Sequence, residues 1–149
     1  MWTKAKNKIR LVLIRHGETA SNKAHRYLGR TDEDLSPCGA EKIKKAVQEK
    51  LYPEIDILFT SPMKRCQQTA QLIYPDMTAH IIPEFVEMDF GEFEGKNYQD
   101  LKDDVRYQAW IDSNGTLPFP GGESRDEYID RCKLGFEMMI NELHKQKSV

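Results

Sequence analysis

Short β-branched apolar runs that alternate with helix starts constrain this chain most. Ile9 to Ile14 is one such run, followed at once by Arg15-His16-Gly17-Glu18. A short stretch that is apolar on both faces predicts a buried parallel strand. Ser36-Pro37 reads as an N-cap and the first helical residue. Ala40, Ile43, Val47 and Leu51 then recur at helical spacing. Ile55 to Phe59 predicts a second buried strand, closed by Thr60-Ser61-Pro62. Ser61-Pro62 repeats the cap-and-proline start, and Met63, Cys66, Ala70 and Ile73 form the apolar stripe of that helix. Ala79 to Ile82 predicts a third strand. This β-α-β-α-β alternation makes the chain an α/β protein with a mostly parallel sheet and right-handed crossovers.

Residues 84 to 122 break the pattern. They are rich in acidic, aromatic, Gly and Pro residues, and predict an excursion with short helices over the active edge of the sheet. Ser124-Arg125-Asp126-Glu127 has the form of a capping box. It opens a long helix with Tyr128, Cys132, Phe136, Met139 and Leu143 on one stripe.

The 149 residues suit one domain, residues 1–149, with no repeat or low-complexity linker. Net charge is −2, from 22 basic and 24 acidic residues, which gives no reason to expect nucleic acid or an anionic membrane as partner. An anionic substrate would need a local positive pocket. Cys38, Cys66 and Cys132 are odd in number and far apart, which disfavours a disulfide framework or zinc site. All three read as small buried side chains. Leu11-Val12-Leu13-Ile14 is too short for a signal-peptide core or a membrane span, so the expected location is the cytoplasm.

Polar residues at the C-terminal end of a strand are where open α/β sheets bind ligands. Imidazole attacks phosphorus well when one nitrogen is unprotonated and the other is held as a donor. A neighbouring arginine offers a planar fork to phosphate oxygens, and a glycine lets backbone approach a ligand. Arg15-His16-Gly17 combines the three. Asn22 and Arg26 follow within two helical turns, near enough to line the same cleft. Arg65 follows the second strand, so it projects from the same sheet edge. Glu87 lies among Phe85, Val86, Met88 and Phe90. A carboxyl in apolar surroundings can hold a proton for a leaving alkoxide.

These pieces resemble the histidine phosphatase, or phosphoglycerate mutase-like, superfamily. The matching segments are Leu11 to Thr19, Asn22, Arg26 to Gly29, Asp32 with Leu35 to Gly39, Ser61-Pro62 with Arg65 and Thr69-Ala70, Glu87 to Gly95, and Gly121 to Ser124. The resemblance implies a three-layer α/β/α fold. It implies that His16 is phosphorylated and then hydrolysed, that Arg15 and Arg65 clamp the phosphate, and that Glu87 is general acid and then base. Asn22 would position the phosphate, and Thr19, Arg26 and Gly29 would belong to a substrate loop. It implies no metal and no cofactor. The partner would be a small phosphorylated metabolite, with a homodimer left open.

The compact excursion ending in Pro120-Gly121-Gly122-Glu123-Ser124 is similar to the phosphatase branch. Within it, Phe90 to Tyr98 and Trp110 to Gly115 are similar to α-ribazole phosphatase-like proteins of cobalamin assembly. A phosphoglycerate mutase and a phosphate-binding module without turnover are the alternatives. The family's second pocket histidine, in a His-Gly pair after a later strand, has no match. His25 is too close to the first motif, His80 falls in the third strand and His144 ends a long helix. The expectation is therefore a C-terminally incomplete domain that lacks the last strand. Strand one would then expose an unpaired edge, and the chain alone would be poorly stable or inactive.

The other polar and aromatic residues read as structural. Glu18 orders the first loop, Glu92 and Glu94 face solvent or organise a loop, and Glu123 anchors one. Tyr27, Trp110 and Phe119 read as local packing. Lys42, Lys44 and Lys45 read as a solvated helix side.

Overall fold

A computed structural model of the chain describes residues 9–146. Two strands, β1 (Leu58–Thr60) and β2 (Ala79–Ile81), pair in parallel with Leu58 opposite Ala79 and Thr60 opposite Ile81. Around them lie α1 (Ala20–Lys23), α2 (Pro37–Gln48), α3 (Lys64–Ile73), α4 (Tyr98–Leu101), α5 (Val105–Asp112) and α6 (Arg125–Gln146). Two 3-10 turns, Pro83–Phe85 and Gly91–Phe93, carry the chain from β2 to α4. The β1-α3-β2 unit is the parallel crossover expected of an α/β chain.

Helix α2 begins as the sequence predicts. Ser36 Oγ accepts the Gly39 N–H at 3.0 Å, and Pro37 is the first helical residue. Ile43 is buried, and the exposed side carries Lys42, Lys44 and Lys45, paired with Glu18, Glu41 and Glu49. Helix α3 starts two residues later than Ser61-Pro62 implies. Its N-cap Met63 offers no side-chain acceptor, and a distant carboxylate takes that place: Asp32 Oδ1 accepts the Lys64 N–H at 2.8 Å. Ser61 instead accepts the Met63 N–H at 3.3 Å in the turn before the helix. The Ser124 capping box is present, with Ser124 N–H donating to Glu127 and Glu127 N–H returning to Ser124 Oγ.

The expected first strand is not formed. Residues 9–18 make no ladder, and the sheet has two strands among the described residues instead of three or more. Ile9, Leu11 and Leu13 are exposed, Leu13 by 86%. A β-branched run becomes a strand only where another strand supplies hydrogen bonds, and no neighbour among the described residues does so here. Strands β1 and β2 are also shorter than the runs Ile55 to Phe59 and Ala79 to Ile82.

Two further expectations change. Phe136, placed on the buried stripe of α6, is 45% exposed. The buried positions are Gly135, which lies against Phe85, and Met139. Met139 keeps its expected place, and Gly135 takes the inward position expected of Phe136. Cys38 is exposed rather than buried, because it occupies the solvent side of the first turn of α2; all three cysteines are free.

The 84–122 excursion has its own aromatic core. Phe93, Leu101, Tyr107 and Phe119 are buried, with Tyr27, Phe90, Met88 and Trp110 packed on them. Edge-to-face pairs run through it, Phe90 to Phe119 at 5.0 Å and Phe93 to Tyr107 at 5.5 Å between centroids. Tyr27, Trp110 and Phe119 are therefore packing residues, as the sequence suggests. The Tyr27 and Tyr107 hydroxyls share a hydrogen bond at 3.0 Å inside the cluster.

Candidate functional site

The His16 loop has no secondary structure of its own, so tertiary contacts shape it. Glu18 O accepts the Ser36 N–H at 2.8 Å, and Thr19 forms an isolated antiparallel bridge with Leu35. Gly39 allows this closure, because a Cβ there would lie 2.2 Å from the Glu18 carbonyl oxygen. On the other side the Gly17 N–H donates to Thr69 Oγ1 of α3 at 3.0 Å. The loop is thus held between the start of α2 and the middle of α3.

His16 is half-buried, and its Nδ1 lies 2.7 Å from the Gly17 carbonyl oxygen. A carbonyl only accepts, so Nδ1 carries the proton of the neutral ring and Nε2 carries the lone pair. Burial lowers the His16 pKa, and the Arg65 and Arg15 charges lower it further. The Gly17 hydrogen bond and the Glu87 charge act in the opposite sense. The geometry therefore favours a neutral imidazole beside two cations and one carboxylate.

Arg65 lies in the first turn of α3 and is 1% exposed. Its Nη2 donates to Gly29 O at 2.9 Å and its Nη1 to Thr31 O at 3.1 Å, while Nε has no partner among the described residues. An unpaired buried donor on a guanidinium is costly, and it suits an incoming anion. Arg15 is exposed and makes no ion pair among the described residues.

Glu87 is half-buried, and its Oε1 accepts the Met88 N–H at 2.8 Å. Its charge acts on His16, Cys66 and Tyr128, which places it in the same neighbourhood. Burial first, and then the Glu87 charge, push the Tyr128 hydroxyl up to about 12, so Tyr128 stays a neutral donor. The structure thus brings together four expected residues: His16, Arg15, Arg65 and Glu87.

The remaining expected residues have other partners. Thr19 is fully buried and caps α1, so it cannot line a substrate loop. Asn22 completes that capping box, with Oδ1 accepting the Thr19 N–H at 3.1 Å and Thr19 Oγ1 accepting the Asn22 N–H at 3.2 Å. Arg26 does not share the cleft. His25 has φ 53 and turns the chain, and Arg26 reaches Asp100 at 3.5 Å and the Gly95 carbonyl. Gly29 meets Arg65 through its carbonyl. Glu94 organises this segment by accepting the Arg30 and Thr31 N–H groups at 2.7 and 2.8 Å. His80 lies in β2 with its ring 5.4 Å from Phe59, and His144 is in the last turn of α6.

The sequence reading does not single out Arg131. It makes a bidentate pair with Glu123 at 2.8 and 2.7 Å and donates to the carbonyls of Glu84, Val86 and Glu87 at 2.5, 2.9 and 3.4 Å. Glu123 in turn accepts the Asp89 N–H at 3.4 Å. One ion pair grips the whole segment that carries Glu87. The Glu123-x7-Arg131 spacing on a capped helix is the local signal for it, but its targets lie more than forty residues upstream.

Comparison with known proteins places this arrangement. The fold is that of phosphoglycerate mutase-like proteins: the crystal structure of phosphoglycerate mutase from Thermus thermophilus matches 83% of this chain and 68% of its own at TM-score 0.66 and 29% identity. The α-ribazole phosphatase structure from Shigella flexneri matches 88% of this chain and 67% of its own, at TM-score 0.76 and 29% identity. The profile of the histidine phosphatase superfamily (branch 1) matches residues 11–149, and the chain belongs to that superfamily. Phosphoserine phosphatase 1 of Hydrogenobacter thermophilus is 30% identical over 145 residues, 95% of this chain and 68% of that protein. The chain spans about two thirds of the length of each of these three proteins. Among the described residues, no helix is long and apolar enough to cross a membrane.

Proposed function

We propose that this chain carries the phosphoryl-transfer half-site of a phosphomonoesterase that works through a phosphohistidine at His16. One observation carries the reading: a half-buried imidazole with Nδ1 tied to Gly17 O, within the fields of Arg65, Arg15 and Glu87. Nε2 attacks phosphorus as the ester P–O bond breaks, and the Glu87 carboxyl gives its proton to the leaving oxygen. Glu87 then takes a proton from water, which attacks the phosphohistidine and breaks the P–N bond. Arg65 and Arg15 balance the charge on the phosphoryl oxygens, where preorganised donors act most strongly.

The substrate we infer is a small phosphate ester, with α-ribazole-5'-phosphate, and so a cobalamin role in the cytoplasm, first among the candidates. The likeness to the Shigella enzyme supports it, and the Hydrogenobacter relative adds phosphoserine to the substrates worth testing. A phosphate-release screen of α-ribazole-5'-phosphate, phosphoserine and 3-phosphoglycerate tests this, with His16→Ala alongside. Release that stays within a few-fold in His16→Ala removes the phosphohistidine mechanism. Phosphate binding without turnover supports the second reading, a binding module. That reading is favoured by the positions of His25, His80 and His144 in a surface turn, in β2 and at the end of α6.

A further inference from the structure

We propose that Thr69 is the positioning residue of the His16 site, its single hydroxyl locking the nucleophile loop to the helix that carries the phosphate-binding arginine. The proposal rests on reading His16 as the nucleophile and Arg65 as a phosphate ligand. Thr69 is 4% exposed, in the middle of α3 and one turn after Arg65. Its Oγ1 donates to the Arg65 carbonyl at 2.7 Å and accepts the Gly17 N–H at 3.0 Å. A hydroxyl has one proton to give and lone pairs to receive. The bond to the carbonyl four residues back uses the proton, so the oxygen can only accept from Gly17. Direction is therefore fixed at both ends of the bridge.

The consequence falls on His16. Holding the Gly17 nitrogen fixes the peptide between His16 and Gly17. Gly17 has no side chain of its own to restrain its dihedrals, and its carbonyl is the acceptor for Nδ1. With the nitrogen pinned to α3, the carbonyl stays in reach of the ring and Nε2 keeps its lone pair. Without that anchor the glycine carbonyl can swing, and the ring loses the partner that selects its tautomer. Downstream the loop is fastened at the start of α2, through Glu18 O and the Ser36 N–H, and at Leu35, through the Thr19 bridge. Thr69 is the side chain that fastens it to α3, and so sets His16 against Arg65.

Nitrogen-15 NMR of the labelled 149-residue chain tests this with Thr69→Val, which keeps the shape and removes the hydroxyl, and Thr69→Ser, which keeps the hydroxyl. In the parent protein the neutral His16 ring shows the Nδ1–H tautomer, and the Gly17 amide exchanges with solvent much more slowly than the Arg15 amide. Thr69→Val shifts His16 to a mixture of tautomers and weakens inorganic phosphate binding by roughly tenfold, the scale of one lost buried hydrogen bond. Thr69→Ser restores both. Unchanged tautomer and phosphate affinity in Thr69→Val overturn the proposal. So does a Thr69→Ser variant that behaves like a hydroxyl deletion, or a fast-exchanging Gly17 amide in the parent, and neither of these depends on the valine variant folding. None of the readouts uses turnover, so a nucleophile reading that fails in the phosphate-release screen is told apart from a Thr69 role that fails here.

Discussion

Arg131 Nε and Nη2 meet the two Glu123 carboxylate oxygens at 2.8 and 2.7 Å, and the same guanidinium holds three carbonyls between Glu84 and Glu87. Helix α6, the 121–124 turn and the Glu87 segment are thereby joined at one point. The side chains are 18% and 9% exposed, so the pair is largely removed from water.

Arg131→Met leaves the largely buried Glu123 with Arg30, 3.8 Å away and half-exposed, as its counter-charge, and takes the Arg131 donor from three carbonyls. Losing one partner of a buried pair costs about 3 to 5 kcal/mol, and the residual exposure places this case near the lower end. Urea unfolding followed by circular dichroism should show a loss of about 3 kcal/mol. A loss under about 0.5 kcal/mol, the range of an ordinary surface change, contradicts the clamp.

Gly39→Ala puts a methyl group 2.2 Å from the Glu18 carbonyl oxygen, where the neighbour is backbone and cannot swing away. Overpacking of this kind costs about 1 to 3 kcal/mol. The strain falls on the His16 loop, so the Gly17 and Glu18 amide resonances should move more than those of β1. An alanine variant as stable as the parent, with an unmoved loop, contradicts the close packing of loop and helix.

Phe93→Ala tests the aromatic core. The ring is fully buried against Tyr107 and Phe119, and removing such a ring costs about 3 to 5 kcal/mol. Thermal unfolding should show the loss. A small change would mean that the 84–122 excursion contributes little to global stability.

These elements are unequally legible in the sequence. That His16, Arg15 and Arg65 come together is legible because a run of adjacent residues, or a helix start after a strand, places them locally. Arg131 cannot, because its meaning depends on carbonyls from Glu84 to Glu87 that share no pattern with it. Arg26 is misplaced by its spacing because the left-handed turn at His25 reverses the chain, and a polar residue in that conformation has no strong local signature. The Ile9 to Ile14 run misleads for a different reason. A strand is a property of two segments, and its apolar composition alone cannot supply the second. On α6 the apolar stripe places Met139 correctly but misplaces Phe136, because Gly135, invisible to a search for apolar spacing, is where Phe85 makes its close approach.

His16 titration gives a pH prediction. Burial, with Arg65 and Arg15, holds the folded pKa below the ordinary 6.5. Between that lowered value and 6.5 the unfolded chain binds more protons than the folded one, so stability rises with pH through this window. It is fully present above 6.5 and is lost as pH falls through the folded pKa. Urea midpoints measured between about pH 5 and pH 7 should fall on acidification, and His16→Asn should remove part of that slope. A His16 midpoint above 6.5 by NMR contradicts the assigned environment.

The central claim is that His16 accepts a phosphoryl group on Nε2. The most direct measurement is peptide mapping after brief reaction with a radiolabelled phosphate ester and an alkaline quench. The account predicts label on the peptide containing His16, stable to alkali, released by acid and absent from His16→Ala. Phosphate release with no label on His16 at any time, or equal labelling of His16→Ala, would contradict it.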